Sequence, residues 1–337
     1  MATSIPIRDA LPTLTDDPVT WTGSSLLSVS QITPAGLQLM FQVAQEMRTL
    51  VRTSGGDSRL QHKVMGTVFF EASTRTSCSF QAAMVRLGGS NIHVDGQGNS
   101  SAGKKGETLE DTIRCLECYT DVTVLRHPEK GSVGRCIDMA HKPIFNAGDG
   151  VGEHPTQALL DVFTIFDELA LEKNTSLTVV LLGDLKHGRT VHSLSKLLAH
   201  SEIWGGQLTL RYCSPAGLEM PAVVTEFCAT SPNVKQETCR DLKEACQGAH
   251  VLYVTRVQRE RFETDEAYEK VKGSYVVDEA LMKEAPPQMI VLHPLPRVDE
   301  IATTVDSDPR AAYFRQMENG MFVRMALLAL VLGKRNA

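Results

Sequence analysis

The sequence predicts an α/β protein of two doubly wound parallel-sheet domains with a cleft between them. Three observations carry this. Apolar runs of strand length alternate with helical patterns from about residue 25 onward. The 337 residues suit two domains of roughly 150 residues each. Polar clusters follow several of the apolar runs, where open parallel sheets bind ligands.

The elements read as follows. Residues 1–24 are rich in Pro, Thr, Ser and Asp and read as a linker or tail. Leu37, Met40, Phe41, Ala44 and Met47 share one helix face. Val64 to Phe70 is a buried strand. The next helix carries Phe80, Ala83, Met84 and Leu87 on one face and stops at Gly88-Gly89. Asp121 to Leu125 is a strand. Ala158, Leu159, Val162, Phe163 and Phe166 then mark a helix. Further strands are expected over Leu177 to Leu182, Gln207 to Tyr212, Val251 to Val254 and Met289 to Leu292. Domain boundaries are expected to give one domain of 25–155 plus 314–337 and a second of 156–313.

Composition narrows the function classes. A net charge of −6 disfavours bulk nucleic-acid binding. The apolar stretch from Met325 to Leu332 is too short to span a bilayer, and the first ten residues lack a signal-peptide layout. The expectation is a soluble cytoplasmic protein without a membrane role. The eight cysteines form no disulfide framework. Cys115 and Cys118 form one C-x-x-C without a second ligand pair, inside a helical pattern where they are expected to pack as small apolar residues.

The polar clusters carry the chemistry. Ser73-Thr74-Arg75-Thr76 follows a strand and opens a helix. Ser73 is placed to cap that helix, and the free N–H groups behind it, with Arg75, suit a phosphate. No P-loop pattern is present. Arg126 and His127 follow the strand ending at Leu125. Ser101 to Thr108 reads as a mobile loop with adjacent Lys104 and Lys105, able to close over an anion. His154-Pro155-Thr156-Gln157 opens a helix after the Gly-rich stretch Asn146 to Gly152. There a His can donate to a carbonyl oxygen and a Gln can bind an amide. Arg189 and Thr190 follow a turn placed like a dinucleotide-binding one, but G-x-G-x-x-G is missing, so a nicotinamide cofactor is not expected. Arg256 and Gln258 lie past another strand. Two separate arginine clusters suit a substrate with two carboxylates. His293-Pro294-Leu295-Pro296-Arg297 reads as a rigid turn that can aim carbonyls at an amine.

Taken as an ordered set, these motifs resemble the aspartate carbamoyltransferase family over about Leu26 to Leu332. The resemblance implies that Ser73, Thr74, Arg75, Thr76 and Arg126 hold the phosphate of carbamoyl phosphate. Ser101 and Lys105 would reach that site from a neighbouring subunit of a homotrimer. Thr76, Arg126 and His154 would polarise the carbamoyl oxygen as the catalytic groups. Gln157 and the carbonyls of Pro294 and Leu295 would hold the carbamoyl amine. Lys105, Arg189, Arg256, Gln258 and Leu295 would bind L-aspartate. A cis Leu295–Pro296 bond and no metal or cofactor are also implied. Ser77 and His187 depart from many bacterial relatives and resemble the domain of eukaryotic multifunctional pyrimidine-biosynthesis proteins, which implies fusion to other domains of that pathway.

Two rival readings are an ornithine-type carbamoyltransferase and an inactive scaffold homologue. Against the first, Pro294 stands where ornithine enzymes place a Cys, and Lys104-Lys105 favours a dianionic acceptor. Against the second, every expected ligand position is filled.

Overall fold

The computed structural model describes residues 11–96, 105–150, 152–170, 175–201, 205–259, 262 and 264–335. The chain divides into two compact units. Unit 1 comprises residues up to Leu159 together with those from Asn319 on; unit 2 is Leu160–Glu318. In chain order the helices and strands are α1 (Pro34–Ser54), β1 (Val64–Phe69), α2 (Thr74–Arg86), β2 (Ser90–Asp95), α3 (Leu109–Glu117), β3 (Val122–His127), α4 (Ser132–Met139), β4 (Ile144–Asp149) and α5 (Pro155–Leu169). Then come β5 (Thr175–Leu182), α6 (Arg189–Ser201), β6 (Gly205–Cys213), α7 (Ala222–Ala229), β7 (Val234–Cys239), α8 (Leu242–Cys246) and β8 (Val251–Val254). The last are α9 (Asp265–Glu269), α10 (Glu279–Glu284), β9 (Ile290–Leu292) and α11 (Tyr313–Val331). The unit boundaries fall inside α5 and α11.

Unit 1 holds a parallel sheet in the order β2-β1-β3-β4. Strand β1 has β2 on one side and β3 on the other, so the chain reverses its direction of travel across the sheet between β1 and β3. On one face, Leu109 and Ile113 of α3 and Val133, Cys136 and Ile137 of α4 pack on Val68, Leu125 and Ile144. Helix α1 starts at Pro34 behind Thr33, whose hydroxyl accepts from Gly36 N–H at 3.0 Å, and stops at Gly55 with φ 80°. The run Met325–Val331 of α11 is almost wholly buried.

Unit 2 holds a parallel sheet in the order β7-β6-β5-β8-β9. Its reversal lies between β5 and β8. Among the described residues no helix is long and apolar enough to cross a membrane.

Several expectations need correction. Residues 11–24 are packed chain. Leu14 and Trp21 are fully buried, Trp21 Nε1 donates to Thr15 O at 2.7 Å, and Gly23 N–H donates to Val331 O at 2.8 Å. Their two fully buried side chains are diluted by Pro, Thr and Asp, so composition hides them. Residues 1–10 lie outside the described residues. The Gly-rich stretch begins inside a fully buried strand, β4, because Asn146 satisfies the backbone there: its Oδ1 accepts from Gly148 N–H and its Nδ2 donates to Leu27 O, both at 2.9 Å. Cys115 of α3 and Cys118, just past its end, are exposed. Ser73 stands at the cap position of α2 without a side-chain cap hydrogen bond. Its ψ of 79° differs from 162° at Thr33 and 152° at Thr108, the extended values that let those hydroxyls reach back into the helix.

Candidate active site

In unit 1 the reversal point collects the first set of side chains. Phe69 of β1 lies level with Arg126 of β3, and Phe70 N–H donates to Arg126 O at 2.9 Å. The connection from Phe70 to Ser73 is thereby pinned beside Arg126. Helix α2 begins at Thr74, so the N–H groups of Thr74, Arg75 and Thr76 are the first of the helix and lack intrahelical acceptors. Together with the positive end of the helix dipole they favour an anion. Thr76 is buried, Ser73 half-buried and Arg75 exposed. Arg126 Nη1 donates to Ala147 O at 3.2 Å, and its Nε forms an ion pair with Glu71 at 3.3 Å. Both charged side chains are mostly shielded from water, so the site already holds a carboxylate against its main cation. Sequence reasoning did not single out Glu71.

Strand β4 adds the next residues. Asp149 Oδ1 accepts from Gly131 N–H and Gly150 N–H donates to His127 O, both at 2.8 Å. These bonds hold the chain leaving β4 against the chain leaving β3. His154 then precedes Pro155 at the first position of α5. His154 and Gln157 are both buried, and His154 O accepts from Gln157 N–H at 3.0 Å. Burial pushes the neighbouring His127 ring below the ordinary imidazole pKa, so it stays neutral beside Arg126 at neutral pH. Ser73 to Thr76 thus follow β1, Arg126 closes β3, and His154 and Gln157 come after β4. Ser101 lies outside the described residues. Lys105 is exposed, ahead of α3 in the chain.

In unit 2 the reversal point collects the second set. Gly183 leaves β5 with φ 108°, and a Cβ there would fall 2.2 Å from Thr255 O. Glycine lets the turn press against the end of β8. The fully buried Asp184 organises this turn: its Oδ1 accepts from His187 N–H at 3.0 Å, and its Oδ2 lies 3.0 Å from His187 Nδ1. His192 Nε2 donates to Leu185 O at 2.7 Å, and burial lowers the pKa of that imidazole. Arg189, half-buried, opens α6. Arg256 and Gln258, also half-buried, follow β8, with Gln258 Nε2 3.5 Å from His187 O. A cavity of about 60 Å³ opens here, lined by Gly183, Thr255, Arg256, Tyr275 and Glu300 among others.

The exit from edge strand β9 is rigidly built. Leu295–Pro296 is cis, and Leu295 has φ 54°. Leu295 N–H donates to His293 Nδ1 at 2.7 Å, so the ring proton sits on Nε2, which donates to Glu300 at 2.7 Å. Burial alone would raise the Glu300 carboxyl; the His293 N–H and nearby backbone N–H groups outweigh it and bring the pKa below the usual glutamate value. Arg297 is committed to Asp306 and the Tyr313 hydroxyl and serves the scaffold.

Residues 24–167 match the family model for the carbamoyl-P binding domain of aspartate/ornithine carbamoyltransferase, and residues 175–331 match that for its Asp/Orn binding domain. The chain belongs to the aspartate/ornithine carbamoyltransferase family. It is 53% identical over 312 residues to the multifunctional protein pyr1-3 of Dictyostelium discoideum, covering 92% of this chain but only 14% of that protein's length. It is 45% identical to the aspartate carbamoyltransferase catalytic subunit of Thermococcus gammatolerans, covering 93% of this chain and 99% of the relative. Among solved structures, aspartate transcarbamoylase of Trypanosoma cruzi in complex with carbamoyl phosphate and aspartate superposes with a TM-score of 0.86. That match has 43% identity and covers 96% of this chain and 100% of the other.

Ser77 and His187 each have a local partner. Ser77 Oγ accepts from Gln81 Nε2 at 2.8 Å, and His187 is held by Asp184 with its ring edge-on to Phe262.

Proposed function

We propose that this chain transfers the carbamoyl group of carbamoyl phosphate to the amine of L-aspartate, giving N-carbamoyl-L-aspartate and phosphate, an early step of pyrimidine biosynthesis. One observation carries the reading. Each parallel sheet has its reversal point furnished with arginine: Arg126 beside the α2 N-terminus in unit 1, and Arg189 with Arg256 across the β5–β8 ends in unit 2. The first set suits a phosphate and the second a dicarboxylate.

The chemistry follows from these groups. Unit 1 is the carbamoyl phosphate-binding domain, where Ser73, Arg75, Arg126 and the N–H groups of Thr74 to Thr76 take the phosphate. Unit 2 is the aspartate-binding domain, where Arg189, Arg256 and Gln258 take the two carboxylates, completed by Lys105. Gln157 and the Pro294 and Leu295 carbonyls hold the carbamoyl NH2. The aspartate amine attacks the carbamoyl carbon, and the oxyanion that forms is met by Arg126, His154 and the Thr76 hydroxyl. The C–O bond to phosphate then breaks, and the leaving phosphate takes the amine proton. Orientation and fixed charge supply the acceleration, so the scheme calls for no cofactor.

Purified chain supplied with carbamoyl phosphate should release phosphate with aspartate as acceptor and not with ornithine. Turnover with ornithine alone would select the sibling activity, and none with either would select a scaffold. A cytoplasmic homotrimer sharing Ser101 and Lys105 between subunits is part of the proposal, as is fusion to further domains of the same pathway. The edge strand β2 exposes Ser90, Ile92, His93 and Asp95, which leaves room for a neighbouring copy. Sedimentation equilibrium should give three chain masses.

A further inference from the structure

Beneath the exit of β9 lies a buried polar chain that the proposed reaction does not use directly. Tyr253 of β8, Asp161 of α5 and Gln316 of α11 are fully inaccessible, and His293 is 1% exposed. The Tyr253 hydroxyl donates to Asp161 Oδ2 at 2.7 Å, and Gln316 Nε2 donates to Asp161 Oδ1 at 2.6 Å. Gln316 Oε1 accepts the His293 backbone N–H at 2.9 Å.

The order of donors and acceptors in this chain has only one consistent sense. A carboxylate holding donors on both oxygens leaves the Gln316 amide no choice: its NH2 faces Asp161, so its oxygen faces His293. A flipped amide would set NH2 against N–H. His293 is then fixed at three points: its N–H on Gln316, its Nδ1 under Leu295 N–H, and its Nε2 on Glu300. Pro294 lies between two residues so held, and the carbonyl directions of Pro294 and Leu295 follow. Helix packing alone would be served as well by apolar side chains, since burying a carboxylate costs several kcal/mol. The arrangement therefore points to a purpose other than packing.

We infer that Gln316, oriented by Asp161 and Tyr253, is a positioning residue that aims the Pro294 and Leu295 carbonyls at the carbamoyl NH2. This rests on the carbamoyl-transfer reading above. Binding of inorganic phosphate, which lacks the NH2, should be indifferent to it.

The test measures calorimetric affinity for carbamoyl phosphate and for inorganic phosphate, with kcat, KM and Tm, on the whole chain. In Gln316→Met the phosphate affinity stays within about twofold, while carbamoyl phosphate binds about tenfold more weakly, as expected for losing one well-aimed hydrogen bond. Asp161→Asn keeps an acceptor towards Gln316 and can donate to the Tyr253 oxygen, so it retains most of the affinity. The triple variant Tyr253→Phe/Asp161→Leu/Gln316→Met also removes the buried carboxylate and hydroxyl that the single change leaves without Gln316, though not the His293 N–H. Its Tm rises above that of Gln316→Met, while the carbamoyl phosphate defect persists. Recovery of that affinity together with Tm overturns the inference, as does equal weakening of both ligands in Gln316→Met. A wild-type chain that binds no carbamoyl phosphate sinks the carbamoyl-transfer reading and this role with it. A wild type that binds it, with Gln316→Met binding equally well, sinks the positioning role alone.

Discussion

Replacing Glu71 by glutamine should tighten the binding of inorganic phosphate. In the structure Glu71 Oε2 lies 3.3 Å from Arg126 Nε, with side-chain exposures of 23% and 13%. At that separation the bare attraction is about 5 kcal/mol for an effective dielectric of about 20, and about 1 kcal/mol in water. Desolvation and screening reduce most such pairs to a net value of no more than about 1 kcal/mol. Glutamine keeps the shape and removes the charge, so a phosphate no longer competes with a carboxylate for Arg126. A release of about 1 kcal/mol is roughly fivefold in the dissociation constant. Isothermal titration of phosphate into both proteins at low salt reads this directly, and the gain should shrink as salt is raised. The same substitution in an Arg126→Met background should bring no gain. Unchanged or weaker binding in Glu71→Gln, or a gain that survives without Arg126, would refute the idea that Glu71 holds Arg126 back from an anion.

Two further outcomes are expected. Trp21→Ala should destabilise unit 1 by about 3–5 kcal/mol, a fall in Tm of roughly 10 °C by differential scanning calorimetry, with phosphate affinity at room temperature little changed; an unaltered Tm would mean that residues 11–24 are dispensable. The lowered pKa of His192 sets the sign of a pH effect: its contribution is intact above the ordinary imidazole value of about 6.5 and is lost as pH falls through it, because the unfolded chain takes up a proton the folded one refuses. Tm should therefore drop between about pH 7 and about pH 5 less steeply in His192→Gln than in wild type; parallel profiles would show that His192 does not titrate on unfolding.

The parts of the fold legible in the sequence are those whose burial is apolar. Strands β1, β3, β5 and β8 stand out because apolar residues dominate them, as in a parallel sheet whose faces are covered by helices. Strands β2 and β7 escape detection because, unlike the edge strands β4 and β9, they hold no fully buried residue. Half their side chains face water, and Ser-Asn-Ile-His-Val-Asp and Val-Lys-Gln-Glu-Thr-Cys carry too few apolar residues to stand out. Strand β4 escapes for the opposite reason: it is wholly buried, but Asn146 does with hydrogen bonds what an aliphatic side chain does elsewhere.

The candidate site was legible where ligand binding depends on the chain just after a strand, since those residues are contiguous. Ser73 to Thr76, Arg126, Arg189 and Arg256 are of that kind. Glu71 was overlooked because a carboxylate at an anion site runs against charge matching. Asp161, Tyr253 and Gln316 come from three separate segments, and only the folded chain shows that they face one another.

The boundaries inside α5 and α11 have a consequence for the order in which the molecule can be made. Unit 1 is discontinuous: its sheet is complete by Asp149, yet Phe322, Met325, Leu327 and Leu330 of its core belong to α11. On the ribosome all of Leu160–Glu318 emerges before them. Domains generally close as units during synthesis, so the later-encoded unit 2 can finish first, while the earlier-encoded unit 1 waits with an apolar trough where α11 will lie. Slowing translation between the codons for Glu318 and Val331 would prolong that wait, and chaperone capture should concentrate on nascent chains of that length.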